Sequence, residues 1–142
     1  MADPFNLQRF VDAQRPVYDQ VVHELRQGDK RTHWMWFIFP QIQGIGSSPT
    51  AQHYAISGID EARSYLLHPV LGQRLRECTE IVNGLEGRSL DDIFGYPDNL
   101  KFRSSMTLFQ AAAEDGAVFE SALRKFCGGE MDPLTLARLG EQ

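Results

Sequence analysis

Leu71-Gly72-Gln73-Arg74-Leu75-Arg76-Glu77-Cys78-Thr79-Glu80-Ile81-Val82-Asn83-Gly84 decides the fold class. Leu71, Leu75, Cys78 and Val82 recur at the three-and-four spacing that lines one face of an α-helix, and Gly84 stops the pattern. On either side the same grammar repeats. Val17, Val21, Val22 and Leu25 form a helical stripe ended by Gly28; Leu90, Ile93 and Phe94 make a short one ended by Gly95. Val118, Ala122, Leu123 and Phe126 make another, ended by Gly128-Gly129, and Leu134, Leu136 and Leu139 suggest a frayed last turn or two. Asp3-Pro4, Ser48-Pro49 and Asp132-Pro133 each place a side-chain acceptor at the N-cap and a proline at the first helical position, where its missing N–H costs nothing. Ser57-Gly58-Ile59-Asp60 and Ser89-Leu90-Asp91-Asp92 resemble capping boxes with Asp in the reciprocal role.

Alternating strand-type runs are scarce. Trp36 to Phe39 suits either state, but with no second strand to pair it the segment is expected as helix or extended core. No repeat, linker or low-complexity stretch interrupts the chain. The expectation is one compact all-α domain over residues 1–142, with about seven to nine short helices.

Bulk properties limit the function. With 142 residues, 42% of them hydrophobic, the chain can build a core without staples. A formal charge of −5 disfavours dedicated nucleic-acid binding, which needs a basic excess to neutralise phosphates. Cys78 and Cys127 have no CxxC partner and His23, His33, His53 and His68 share no ligand spacing, so no metal or cofactor is expected and both thiols read as reduced and structural. The N-terminus lacks the apolar run of a signal peptide, and the longest apolar run, Trp34 to Phe39, is too short for a bilayer; a soluble, cytoplasmic protein is expected. Oligomeric state is not legible.

Three segments could carry chemistry. His33-Trp34-Met35-Trp36-Phe37-Ile38-Phe39-Pro40-Gln41 holds both tryptophans of the chain. Most of these rings should pack inward, with Trp34, Phe37 and Ile38 on one helical face and Trp36 and Phe39 on another. Trp34 or Trp36 could instead stack on a planar ligand, with Gln41 reading a polar edge and His33 serving as acid or base. The following Gly44-Ile45-Gly46-Ser47-Ser48-Pro49 offers backbone N–H groups and hydroxyls at a helix start; it is neither a Walker loop nor a dinucleotide fingerprint, and Ser48 is fully explained as a cap. Lys101-Phe102-Arg103-Ser104-Ser105 follows a helix start near Asp98. There Phe102, Met106 and Phe109 share the buried face, while Lys101, Ser104, Ser105 and Leu108 share another, with Arg103 and Thr107 beside them. Such a flank is ordinarily solvated. Ser104 or Ser105 as a hydrolytic nucleophile lacks the G-x-S-x-G elbow.

Lys30-Arg31-Thr32-His33-Trp34-Met35-Trp36-Phe37-Ile38-Phe39-Pro40-Gln41 and Asp98-Asn99-Leu100-Lys101-Phe102-Arg103-Ser104-Ser105-Met106-Thr107-Leu108-Phe109 closely resemble the two signature blocks of a bacterial domain-of-unknown-function family. The resemblance extends through Phe10-Val11-Asp12-Ala13-Gln14 and His68-Pro69-Val70-Leu71-Gly72, with only apolar departures at Ile42, Ile45 and Phe102. It implies an all-helical fold and no established activity. Members often carry the label calpastatin, which fits poorly: inhibitors of that kind are polar and disordered, whereas this chain has a core composition. A signature of cations and small hydroxyls also favours anion recognition by Lys101 and Arg103, since arginine grips phosphate or carboxylate bidentately. A faint likeness to helical N-glycosidase domains acting on ADP-ribose derivatives, in His53-Tyr54 and Leu100-Lys101-Phe102, is too short to assign roles and serves only to choose test ligands.

The resulting expectation is a single polar pocket for a phosphorylated or nucleotide-like small molecule. Trp34, Trp36, Gln41, Gly44, Gly46, Ser47, Ser48, Lys101, Arg103, Ser104 and Ser105 would bind it. If the protein is an enzyme, metal-free hydrolysis with His33 or Glu61 as acid/base is expected. The rival is a protein-interaction or structural module whose signatures only specify helix packing.

Overall fold

Local capping signals set most of the element boundaries. The computed structural model describes residues 2–140. Among them lie ten helices: α1 (Gln8–Gln14), α2 (Tyr18–Gln27), α3 (Met35–Ile38), α4 (Pro49–His53), α5 (Ile59–Leu67), α6 (Leu71–Asn83), α7 (Leu90–Phe94), α8 (Asp98–Ala112), α9 (Ala117–Cys127) and α10 (Pro133–Gly140). No strand is present among the described residues; a single parallel bridge joins Ile42 to Ile56. The fold class is all-α, and the helix number exceeds nine because α3 and α4 are each little more than one turn.

Ser89 and Asp92 form the reciprocal capping box, and Ser48 Oγ accepts from the Ala51 N–H with Pro49 at the first helical position. Asp132 Oδ2 accepts from the Thr135 N–H at 3.1 Å. Two starts differ from expectation. Asp3 caps, but its carboxylate takes the Leu7 and Gln8 N–H groups, so α1 begins at Gln8 rather than at Pro4. At α5 the reciprocal carboxylate is Glu61, not Asp60: its Oε1 accepts from the Ser57 N–H at 2.8 Å.

Helix α8 packs against α5, α7, α9 and α10, and α6 bridges α2, α5 and α9. The buried apolar side chains form one contiguous cluster running from Leu7 to Leu123. Its aromatic half near α3 joins Phe39, Phe94 and Phe102, with the Phe39–Phe102 centroids 5.0 Å apart and edge-on. Edge-to-face contact sets the electropositive rim of one ring against the π-face of the next. No described helix is long and apolar enough to cross a membrane.

The α5–α6 corner depends on two residues. His68 Nδ1 accepts from the N–H groups of Val70 and Leu71, closing the start of α6. A Cβ on Gly72 would sit 2.0 Å from the Leu66 carbonyl oxygen, so only glycine lets α6 begin against the end of α5. Because the obstacle is backbone, relief requires moving a helix. Gly72→Ala should therefore lower unfolding stability by about 3 kcal/mol, the upper part of the range for overpacked positions. The expected readout is a lower urea midpoint with an unchanged slope.

Candidate functional site

The start of α8 meets the segment that carries both tryptophans. Asp98, opening α8, lies between two ammonium groups: Lys30 Nζ at 2.8 Å and Lys101 Nζ at 3.3 Å. Each cation also lies over an indole, Lys30 over Trp34 at 5.1 Å and Lys101 over Trp36 at 5.0 Å. One carboxylate thus fixes both cations, and the cations fix both rings by attraction to their π-faces.

Beyond this shared motif the tryptophans diverge. Trp34 is fully buried, and its Nε1–H donates to Glu24 Oε1 at 3.0 Å, so it walls no pocket. Trp36 is half-buried and borders a cleft of about 340 Å³ lined also by Lys30, Arg31, His33, Tyr96 and Asp98. That volume lies within the range of small-molecule sites. His33 is exposed at its rim, and Tyr96 is 81% exposed beside it. Arg31 holds Asp29 through one edge of its guanidinium, with Nε at 3.0 Å and Nη2 at 2.9 Å.

Trp36 also borders a second, much smaller depression with Gln41, Gly46, Ala51 and Tyr54. The glycine/serine loop borders this depression, but its groups are largely committed to structure. Ser48 caps α4, and the Ser47 carbonyl accepts from Gln52 Nε2 at 2.8 Å. Gly44 has φ +92°, in the region that favours glycine, and the Arg138 guanidinium would lie 2.5 Å from a Cβ there. Gly46 abuts Ala51.

Several expected placements are corrected. The polar flank of α8 is not solvated: Ser104, Ser105, Thr107 and Leu108 are all buried. At Ser104 and Thr107 the reason is the segment leading into α10, which bonds to both. Ser104 Oγ donates to Asp132 Oδ2 at 2.9 Å, Thr107 Oγ1 accepts from the Asp132 N–H at 2.9 Å, and Thr135 Oγ1 donates to Asp132 Oδ2 at 2.6 Å. Arg103 joins the same knot, its Nε donating to the Glu130 carbonyl at 3.0 Å and its Nη2 to the Met131 carbonyl at 2.8 Å. Arg103, Ser104 and Ser105 therefore line no part of the cleft. Glu61 is also elsewhere. It is 3% exposed, pairs with Arg9 Nη2 at 2.9 Å and closes the start of α5. Phe37 is half-buried against Tyr54 rather than packed beside Trp34. His33, Trp36 and Lys101 are brought together; Gln41 and Gly46 line a separate depression that shares only Trp36 with the cleft.

Glu24, which the sequence reading passes over, organises this region. Although only 2% exposed, its carboxylate accepts five hydrogen bonds: Oε1 from the N–H groups of Arg31 and Thr32 and from Trp34 Nε1, Oε2 from Thr32 Oγ1 and Gln20 Nε2. A signal was present, since Glu24 falls three residues after Val21 on the apolar face of α2, where an unpaired carboxylate would be costly. Burial alone would raise its pKa, but the bonds from Thr32, Arg31 and Gln20 prevail and lower it from 4.5 to about 2. Burial pushes the Cys78 thiol up to about 12 and raises that of Cys127 as well, which disfavours the thiolate at both.

The chain belongs to a family of unknown function. Residues 4–139 match the family described as "Protein of unknown function (DUF1810)". The fold is similar to the crystal structure of the conserved hypothetical protein Rv1873 from Mycobacterium tuberculosis, with 56% sequence identity and a TM-score of 0.96 over 97% of this chain and 99% of that one. No curated protein matches the chain.

Two outcomes follow from the hydrogen-bond networks. Glu24→Gln should cost roughly 3 kcal/mol, because an amide turns donors toward groups that already donate. The depressed pKa of Glu24 gives the pH sign: its contribution is complete above about 4.5 and fades as pH falls toward about 2. Wild-type urea midpoints should fall through that window, and those of Glu24→Gln should fall less. Asp132→Ala should cost about 2 kcal/mol, the upper end for a lost cap. Faster amide exchange confined to residues 130–140 would show which segment loosens.

Proposed function

We propose that the cleft beside Trp36 binds a small anionic molecule carrying a planar ring, of the nucleotide or phosphorylated-metabolite class. The observation that carries this reading is the Trp36 ring itself: Lys101 holds it by one face, and it borders a cleft shared with His33, Arg31 and Tyr96. Trp36 and Tyr96 supply stacking surface, while Arg31 and His33 supply donors for an anionic group. Cations outnumber carboxylates around the cleft although the chain as a whole carries −5, so the local field favours an anion. Lys30 contributes through the field rather than by contact, because its side chain is 7% exposed and bound to Asp98. Hydrolysis, if it accompanies binding, rests on His33 as the acid or base; Glu61 is spent on Arg9 and the α5 cap.

A second reading has its own support. Arg103, Ser104 and Thr107 fasten the segment before α10, so the second signature has a packing role sufficient to explain it. On that reading the signatures specify the fold, and the protein is a structural or interaction module.

Titration with AMP, ADP-ribose, sugar phosphates and inorganic phosphate separates the two, read by thermal shift and tryptophan fluorescence. Ligand at a hundredfold excess over its Kd should add roughly 2.7 kcal/mol of stability. The response should vanish in folded Trp36→Ala and Arg31→Ala yet persist in Ser47→Ala. Silence from every compound, or a shift that survives both substitutions, would establish the packing reading instead.

A further inference from the structure

Leu67, the last residue of α5, is 83% exposed although most other leucines of the chain are at least partly buried. It stands at the edge of a groove of about 300 Å³ whose floor is Leu66, Ala112 and Ala113. Charged side chains rim that groove in two pairs: Arg63 and Arg76 from α5 and α6, Glu114 and Asp115 from the turn between α8 and α9. Arg63, Leu66 and Leu67 share one helical face at i, i+3 and i+4. We propose that this face is an isologous dimer interface, its occupant a second copy of this chain.

Three features select a second copy over an unrelated partner. First, the face carries both a projecting apolar side chain and an apolar groove, so a two-fold axis seats each Leu67 in the other copy's groove; a self-complementary patch is what such an axis demands. Second, the charges are self-complementary, because the same rotation sets Arg63 of each copy toward Glu114 of the other. Third, the groove's own rim carries two cations and two carboxylates, with Asp60 beside Arg63 as the nearest further charge, so the face is far less negative than a chain of −5 would allow. Arg63 and Glu114 are the charges available for this pairing. Arg76 already donates to the Asp115 carbonyl at 3.1 Å and lies over the Phe119 ring, and Asp115 Oδ1 accepts from the Ala117 N–H at 3.2 Å. Arg63 has only a 3.8 Å contact with Asp60, both side chains exposed. The surface is separate from the Trp36 cleft and shares no lining residue with it.

Sedimentation equilibrium of the full chain tests the proposal. Wild type should have twice the monomer mass at high protein concentration and dissociate on dilution. Leu67→Glu should be monomeric with an unchanged circular dichroism spectrum. Arg63→Glu and Glu114→Lys should each dissociate at least tenfold more readily than wild type. An equimolar mixture of those two should recover the dimer, because each chain then meets opposite charges at both contacts. A wild type that remains monomeric at every concentration, a dimer indifferent to Leu67→Glu, or a mixture no tighter than its components would overturn the assignment.

Discussion

Helix α8 is buried around most of its circumference, and much of the molecule is arranged to make that tolerable. A helix hydrophobic on every side needs only neighbours, but α8 carries hydroxyls and cations between its phenylalanines. Each such group taken from water calls for a partner, and of the three hydroxyls on α8 that of Ser105 is buried without one. Ser104 and Thr107 bond back to carbonyls one turn earlier and forward to Asp132, while Arg103 takes the carbonyls of Glu130 and Met131. The segment before α10 is thus held by polar contacts, whereas α5, α7 and α9 cover apolar parts of the same helix. Leu134 and Leu136 are exposed, and Thr135 is the buried residue of α10. The last helix therefore depends on satisfied donors and acceptors more than on area removed from water.

Glu24 plays the corresponding part at the other signature. The turn after α2 brings the N–H groups of Arg31 and Thr32 to one point, where neither helix nor strand could use them, and a carboxylate accepts them together. The same carboxylate takes the indole N–H of Trp34, which lets a tryptophan lie wholly inside the core without an orphaned donor. Once Trp34 is fixed, the short α3 that follows must present Trp36 on a different side. The direction of the exposed ring follows from the anchoring of the buried one.

The legible part of the fold was the local part. Gly28, Gly84, Gly95 and Gly128 end helices as expected, and the Ser89–Asp92 box closes as its spacing implies, because such signals act within four residues. The flank of α8 was misread for the opposite reason. Nothing between Lys101 and Thr107 reveals that residues 130–135 will cover it, and a helical wheel assigns uncovered polar residues to solvent. Of the candidate site, the sequence groups His33, Trp36 and Lys101 around one expected pocket; in the structure His33 and Trp36 border one cleft, and Lys101 lies over the Trp36 ring. The site was not legible at Arg103, which is held by the carbonyls of Glu130 and Met131 and lies 3.6 Å from the Glu130 carboxylate, partners too far along the chain to be read from the α8 pattern. Glu61 shows the same limit: a carboxylate on the first turn of a helix looks available until Arg9, from another element, reaches it.

These networks divide the polar residues of the two signatures by whether their bonding capacity is already filled. Glu24, Arg103, Ser104 and Thr107 are filled from within the fold, whereas Ser105 Oγ is buried without a partner. Arg31 retains an edge of its guanidinium beyond Asp29, His33 stands exposed, and Tyr96 projects from a turn where it contributes little to the core. The anchoring of Trp34 accounts for where Trp36 lies, but burial of apolar area does not account for Tyr96 and His33 standing exposed at the same cleft, and the proposed ligand would. The proposed function therefore rests on Arg31, His33, Trp36 and Tyr96, while Arg103, Ser104 and Thr107 belong to the scaffold around α8.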